Sequence, residues 1–173
     1  MRIASQFAFS TPSITLRRHV LEFDEAGILS NLFSLDNQRV ESAHTLFLDG
    51  IVSTQFTSLK MIMSPSEICH LTEDYYYIDV CADNIMPTRS HQPLILDFGS
   101  INAVEINSRL PKLESLIPHY SLYKIIAACV YYPALLVGKE VELAIGKKFV
   151  PLLWQNVDLV NKRILTGTCL KSL

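Results

Sequence analysis

Short apolar segments separated by polar turns fill the first 56 residues of the chain. The segments at 3–9, 14–23, 28–35 and 45–52 are rich in β-branched and aromatic residues, and no helical period runs through them. This pattern predicts four strands, of which the second and third form an antiparallel hairpin. Strand, turn and strand at this spacing are typical of half a β-sandwich.

The middle of the chain mixes strand and helix signals. The runs at 75–81 and 93–98 are strongly β-forming and continuous rather than alternating, which predicts strands covered on both faces. Ser64 followed by Pro65 predicts the start of a short helix, with the serine as N-cap and the proline at the first helical position. We therefore expect a small α/β layer here.

Helical spacing of apolar residues follows this layer. Residues 102–110 and 112–117 predict two short helices divided at Pro111, because proline interrupts the helical hydrogen bonds. The clearest helix begins at Ser121 as N-cap and places its apolar residues on one face as far as Val130.

The β pattern returns after residue 138. The segments 141–145, 149–157 and 163–170 predict three short strands separated by polar turns. With strand signals at both ends, we expect one sheet system assembled from both termini.

This organisation predicts a mixed β and α fold. The pattern divides the chain into β segments at 1–58 and 139–173 and a mixed α/β segment at 59–138.

Composition narrows the expected partners and the compartment. A length of 173 residues suits one domain, and a formal net charge of -2 gives no attraction to nucleic acid or anionic lipid. Residues 1–7 lack the pattern of a secretory signal, and no run approaches the roughly 18 apolar residues of a membrane span. We therefore expect a cytoplasmic protein with no nucleic-acid or membrane partner.

The cysteines are widely scattered and form no C-x-x-C pair, which favours neither disulfides nor a zinc site. We expect them to be small buried apolar residues. They are Cys69, Cys81, Cys129 and Cys169.

The stretch 46–62 carries the first part of a family resemblance. It contains the strand Phe-Leu-Asp-Gly-Ile-Val at 47–52, followed by Phe56. This order resembles the metal-dependent amidohydrolases, especially their deaminase-like branch, in which such a strand continues through Pro-Gly-Phe-Val-Asn/Asp to a metal-binding His-x-His. Here Lys60 and Ile62 stand where those two histidines are expected. An ammonium group repels a divalent metal and an aliphatic side chain cannot ligate it.

The second part of the resemblance lies after the clearest helix. Residues 133–138 resemble the family's Ala-x-Ala-Leu-Gly turn, and residues 144–148 resemble its Gly-x-Ile-x-x-Gly-Lys turn. Residues 149–158 resemble the strand that follows, with Pro151 where that pattern carries Asp.

The middle of the chain is similar to the last strands of the family's barrel. Residues 68–70 are similar to its Val-His-Asn strand, and residues 80–84 to its Cys-Pro-x-Ser/Asn-Asn strand. Residues 94–100 are similar to its Leu-Gly-Thr-Asp-Ser strand. The resemblance places the metal-binding aspartate at Gly99, and Asp97 lies two positions earlier on the same side of the strand.

The remaining candidates for a metal ligand are His70 and Asp97. A metal site of His70, Cys81 and Asp97 can be imagined, although no spacing requires it. Ser100 has no Gly-x-Ser-x-Gly context and no assignable partner, so it is not predicted as a nucleophile. We expect no catalytic residue, no bound metal and no cofactor.

The resemblance implies that residues 1–58 and 139–173 form the family's composite β-sandwich, and that residues 59–138 are an α/β insertion resembling the last part of its barrel. It implies a truncated relative, because a complete (β/α)₈ barrel needs about 200–250 residues and residues 59–138 are too few. We therefore expect a non-catalytic interaction or regulatory module. The apolar runs 75–81, 94–98 and 122–137 predict a homodimer or a protein partner that covers the α/β segment. The alternatives are a divergent metal-dependent hydrolase of non-peptide C–N bonds and a module that binds a small heterocycle.

Overall fold

Strands from both ends of the chain form one six-stranded sheet, and two further strands form a second sheet. The computed structural model describes residues 1–37, 44–82, 92–100 and 102–173. Its strands are β1 (Arg2–Thr11), β2 (Ile14–Phe23), β3 (Leu29–Ser34), β4 (Leu46–Ser53), β5 (Tyr76–Asp79), β6 (Leu94–Asp97), β7 (Leu152–Asp158) and β8 (Arg163–Ser172). The order in the large sheet is β3-β2-β1-β4-β7-β8, and β5 pairs with β6 in the small one.

The six-stranded sheet is mixed. Strands β1, β2 and β3 pair antiparallel in succession, which confirms the predicted hairpin. Strand β4 runs parallel to β1 and antiparallel to β7, and the pair Ile51 and Trp154 joins the two ends of the chain. The predicted mixed α/β class with a mostly β core is therefore confirmed.

The strand predicted at 141–145 is absent. The amide of Leu143 instead donates to the Ser10 hydroxyl at 3.1 Å, and the leucine side chain is buried. The following turn binds the start of β3, with Leu29 N donating to Lys147 O and Gly146 N donating to Leu29 O, both at 2.8 Å. The prediction was wrong because a distant hydroxyl and a distant strand occupy these backbone groups.

Short helices cover the sheets. They are α1 (Pro65–Leu71), α2 (Ala103–Arg109), α3 (Pro111–Leu116), α4 (Leu122–Ile126) and α5 (Tyr132–Leu136), together with a 3₁₀ turn at Leu35–Asn37 and a π-helical segment at Ala127–Tyr131. The predicted start of α1 is confirmed, because the Ser64 hydroxyl accepts from the amide of Glu67 and the Glu67 carboxylate accepts from the amide of Ser64. The predicted division between α2 and α3 at Pro111 is confirmed too.

The last helices form one continuous helical run from Leu122 to Leu136, which passes through the π segment. Ser121 is the N-cap residue, although its side chain makes no capping hydrogen bond. The run ends in a Schellman motif, in which the amides of Gly138 and Lys139 donate to the carbonyls of Leu135 and Ala134.

Helix α2 also covers the outer edge of β8. The amide side chain of Asn107 donates to Leu170 O at 2.9 Å and accepts from Leu170 N at 2.6 Å. These bonds satisfy backbone groups that an exposed edge strand would offer to other chains.

Consecutive residues of the central strands pack on opposite faces of the large sheet. Ile51 and Trp154 belong to a large apolar cluster that includes residues of α2, α3, α4, the π-helical segment and β6. Val52 and Leu153 belong to a second cluster on the other face, with residues from β1, β2 and β3. The large cluster contains residues from both the terminal ranges and the insertion, so these parts of the chain share one core.

Two of the apolar runs expected to need a partner, 94–98 and 122–137, are mostly buried within the chain, whereas 75–81 is fully buried only at Ile78 and Val80. All four residues of β6 are buried, and so are Ile78 of β5 and the helical residues 125–130. Within the described ranges, no helix has the length and apolar character that a membrane crossing requires.

A β-bulge in β4 depends on Gly50. The register with β1 shifts here, and Gly50 adopts φ +135°. A Cβ atom at this position would overlap the Trp154 carbonyl oxygen. Glycine is therefore required by both conformation and space.

We expect Gly50→Ala to lower the free energy of unfolding by more than about 3 kcal/mol, because the backbone must shift against β7. Gly146 also has positive φ (+87°), but a Cβ there meets nothing within 4 Å, so Gly146→Ala should cost only about 1 kcal/mol. Urea denaturation of both variants measures the difference, and equal losses would contradict this account of the bulge.

Candidate functional site

A buried polar site lies at the carboxyl ends of β5 and β6. The two strands are parallel, and their register places Asp79 opposite Asp97. Both strands are apolar until these final residues, so the sheet delivers two carboxylates to the same edge. The loop that follows β4 lies over this edge and contributes Ser58 and Lys60.

Asp97 is 1% exposed, and its carboxylate accepts four hydrogen bonds. Oδ1 accepts from Ser58 Oγ at 2.5 Å and from Gly99 N at 2.9 Å. Oδ2 accepts from Lys60 N at 2.9 Å and from the Tyr77 hydroxyl at 2.9 Å. An ionised carboxylate offers about four lone-pair positions, so these donors fill its capacity.

Lys60 connects the two carboxylates. Its amide binds Asp97, while its ammonium Nζ lies 2.7 Å from Asp79 Oδ2. Asp79 Oδ1 accepts in addition from the amide of Cys81 at 2.9 Å. The hydrogen bond with Asp79 raises the pKa of Lys60. The ammonium is therefore retained beside the two negative charges.

Tyr77 and Cys81, at the same edge, are held in their neutral forms. Burial raises the pKa of the Tyr77 phenol, and the negative charge of Asp97 raises it further. Burial also raises the pKa of the Cys81 thiol, which donates to Phe98 O at 2.9 Å. The guanidinium of Arg109 donates to the same carbonyl oxygen. A protonated thiol is a poor nucleophile, so Cys81 is not activated for covalent chemistry.

The π-helical segment packs beside β6. It carries Cys129, which is completely buried, and burial together with the charge of Asp97 raises the pKa of its thiol well above the usual value. Cys129 behaves as the predicted small buried residue. Cys69, in contrast, is exposed, and all four cysteines are free thiols.

His70 lies away from this network. It is on α1, so the comparison of residues 68–70 with a strand is wrong, because the Ser64 cap and Pro65 start a helix there. Its side chain is 85% exposed, and ring Nδ1 lies 3.1 Å from Glu73 Oε1. The site imagined from His70, Cys81 and Asp97 is therefore not assembled. The fold brings only Cys81 and Asp97 near each other, because Cys81 binds Phe98, the neighbour of Asp97, and Asp79, its partner in the strand register.

The position compared with the family's metal-binding aspartate is also unsuited to a larger side chain. Gly99 has φ +60°, and a Cβ there would lie 3.0 Å from Cys81 Sγ. Ser100 is buried, and its hydroxyl accepts from the amide of Asn102 at 3.0 Å. Asp83 and Asn84, from the other compared strand, lie outside the described residues.

These residues do not fit a divalent metal centre of the amidohydrolase type. A metal ligand needs a free lone pair, and the oxygens of Asp97 are already filled by four donors. The ammonium of Lys60 adds a repelling charge. Within the ranges that the structure describes, no three His, Cys, Asp or Glu residues are grouped as a metal would require.

Ser58, Tyr77 and Asp79 were missed as members of the site. The signal for Asp79 was present, because it ends a β-forming run in the same way as Asp97, and the carboxyl ends of parallel strands meet at one edge. Ser58 and Tyr77 gave no local signal.

Comparisons with family models, with curated proteins and with solved structures find no match to this chain.

We expect Asp97→Asn to lower the free energy of unfolding by about 3 kcal/mol, because an amide NH₂ would face donors that need an acceptor. Asp79→Asn provides the matched control. It breaks a partly exposed ion pair and should cost less than about 1 kcal/mol. Urea denaturation compares the two variants, and an equal cost would show that the network at Asp97 is not special.

The raised pKa of Tyr77 predicts a loss of stability at alkaline pH. The unfolded phenol ionises at about pH 10, below the pKa in the folded protein, so its contribution is complete below that pH and falls above it. We expect the stability difference between wild type and Tyr77→Phe to shrink as the pH rises above about 10. Tyr123 and Tyr132, whose pKa values are also raised, remain in both proteins and cancel. Parallel pH profiles would refute this role.

Proposed function

We propose that this chain is a non-catalytic, truncated relative of the metal-dependent amidohydrolases and that it serves as a protein-interaction module. The observation that carries the proposal is the filled carboxylate of Asp97. Its four donors come from the loop after β4, from β5 and from its own turn. A carboxylate used in this way holds segments together and has no lone pair left for a metal or a proton transfer.

The positions compared with the family's metal ligands support the same reading. Lys60 stands at the first histidine position, and its amide and ammonium bind Asp97 and Asp79. Gly99 stands at the aspartate position, where Cys81 leaves little room for a side chain. The fold thus brings Lys60 and Gly99, the two positions compared with metal ligands, to one edge of the sheet. The residues at these positions are suited to hydrogen bonding.

The proposed relationship also assigns the parts of the fold. Residues 1–58 and 139–173 correspond to the composite β-sandwich, and residues 59–138 correspond to the last part of a barrel. The antiparallel pairing of β4 with β7 supports the first assignment, because it joins the two ends of the chain. The parallel pairing of β5 with β6 supports the second.

A second copy of this chain is the partner that we propose. Met61 and Ile62 follow Lys60 directly and are 64% and 54% exposed. They form an apolar surface beside Leu59, which is buried in the cluster that includes Tyr132. A net charge of -2 gives little repulsion between copies. In a twofold dimer the same apolar surface is used by both partners.

We expect wild-type protein to sediment as a dimer at micromolar concentration and M61S/I62S to sediment as a monomer, because the apolar contact is lost. V104S/V160S is the matched control, since Val104 and Val160 are 77% and 89% exposed at other places. This control should remain a dimer. A monomeric wild type, or identical behaviour of both variants, would refute the proposed contact.

The non-catalytic part is tested on the same preparation. We expect no stoichiometric zinc or iron by elemental analysis and no turnover on a panel of deaminase and amidase substrates. Bound metal or turnover that is lost in Asp97→Asn would overturn the proposal in favour of a divergent hydrolase. Thermal stabilisation by nucleobases without turnover would favour a heterocycle-binding module instead.

A further inference from the structure

A polar cleft lies between the segment before the long helical run and the turn that joins β7 to β8. It has a volume of about 350 Å³ and is lined by residues 118–121 and 161–163. None of these residues belongs to the site around Asp97.

The two walls of the cleft are fixed to each other. The amide of Leu122 donates to Lys162 O at 2.7 Å. The turn is held in addition by Asp158, whose Oδ1 accepts from Val160 N at 3.1 Å and from Asn161 N at 2.9 Å, while its Oδ2 accepts from Asn161 Nδ2 at 2.8 Å. A ligand entering the cleft therefore meets walls that are already ordered, which reduces the entropy cost of binding.

Two permanent cations, Lys162 and Arg163, line the cleft together with His119, and no Asp or Glu is among the lining residues. Lys124, in the first helical turn, extends the same charge. The side chains of Lys124, Lys162 and Arg163 form no salt bridge with any side chain that the structure describes.

Asp158 stands opposite Arg163 in the pairing of β7 with β8. The N–H groups of Asn161 and, to a smaller degree, the charge of Arg163 lower the pKa of this carboxyl.

Aromatic rings hold the two lysine ammonium groups in place. Lys162 Nζ lies 5.8 Å from the ring centroid of Tyr123, and Lys124 Nζ lies 5.8 Å from the ring centroid of Tyr120. A ring orients an ammonium without neutralising it. The positive charge thus stays available to a ligand.

We propose that this cleft binds the phosphate group of a small anionic metabolite. Arg163 offers a planar pair of N–H donors that matches phosphate oxygens, and Lys162 offers a point charge beside it. The Ser121 hydroxyl makes no capping hydrogen bond and lines the same cleft, where it can donate to the phosphate. This site goes beyond the proposed interaction role, because it involves neither Asp97 nor the surface of Met61 and Ile62.

The test is a titration of ¹⁵N-labelled protein with inorganic phosphate at constant ionic strength, followed by amide NMR shifts. We expect saturable shifts at residues 118–121 and 161–163. K162Q/R163Q should weaken binding by at least about tenfold, the value of one lost charge-assisted hydrogen bond. K147Q/K148Q is matched in charge but lies in another turn, and it should bind as wild type does.

A second arm compares inorganic phosphate with ribose 5-phosphate. Tighter binding of the ester supports a phosphorylated metabolite, whereas tighter binding of inorganic phosphate overturns that assignment. Phosphate also stabilises proteins generally through exclusion from their surface. Non-saturating shifts, or equal shifts in all three proteins, would therefore overturn the site. If K162Q/R163Q does not fold, R163Q alone replaces it in the titration. The outcome of these phosphate titrations does not affect the tests of dimerisation or of metal content.

Discussion

The carboxylate of Asp97 is removed from water at the end of β6, and four donors from three parts of the chain surround it. Removing a charge from water costs several kcal/mol unless hydrogen bonds replace those to solvent. The loop carrying Ser58 and Lys60, the strand carrying Tyr77 and the turn at Gly99 must therefore assemble together. A two-stranded sheet of four-residue strands would be marginal alone, and this network supplies the connection that it lacks.

Apolar packing brings the loop to the place where that network forms. Phe56 precedes Ser58 by two residues, and its ring lies 5.5 Å from that of Phe98 and 5.7 Å from that of Trp154, measured between centroids. Trp154 is fully buried, and its indole N–H donates to Ser53 Oγ at 2.8 Å. The same aromatic cluster thus joins β7 of the large sheet to the end of β6. The hydrogen bonds around Asp97 depend on this aromatic packing, because it positions the loop that carries Ser58 and Lys60.

Polar residues gathered at a sheet edge can serve the fold by binding one another. The two carboxylates, the lysine and the tyrosine have the composition of an active site, but each is used by another group of the protein. Under the proposed relationship to the amidohydrolases, the edge that holds a metal in an enzyme holds the chain together here. The cleft at residues 118–121 and 161–163 has the opposite character, since neither Lys162 nor Arg163 forms a salt bridge with a described side chain.

The amino-acid sequence by itself determined the elements that neighbouring residues specify. The hairpin of β2 and β3, the capped start of α1 and the division at Pro111 follow from neighbouring residues, because turn, cap and proline chemistry act over only a few positions. The mixed class followed from the same local signals. Tertiary structure decided which segments meet. Ser58 and Tyr77 reach Asp97 across 39 and 20 residues of sequence, and Leu143 is bound by a hydroxyl 133 residues away. Such partners are chosen by the packing of distant apolar faces, and periodicity along the chain carries no record of that choice.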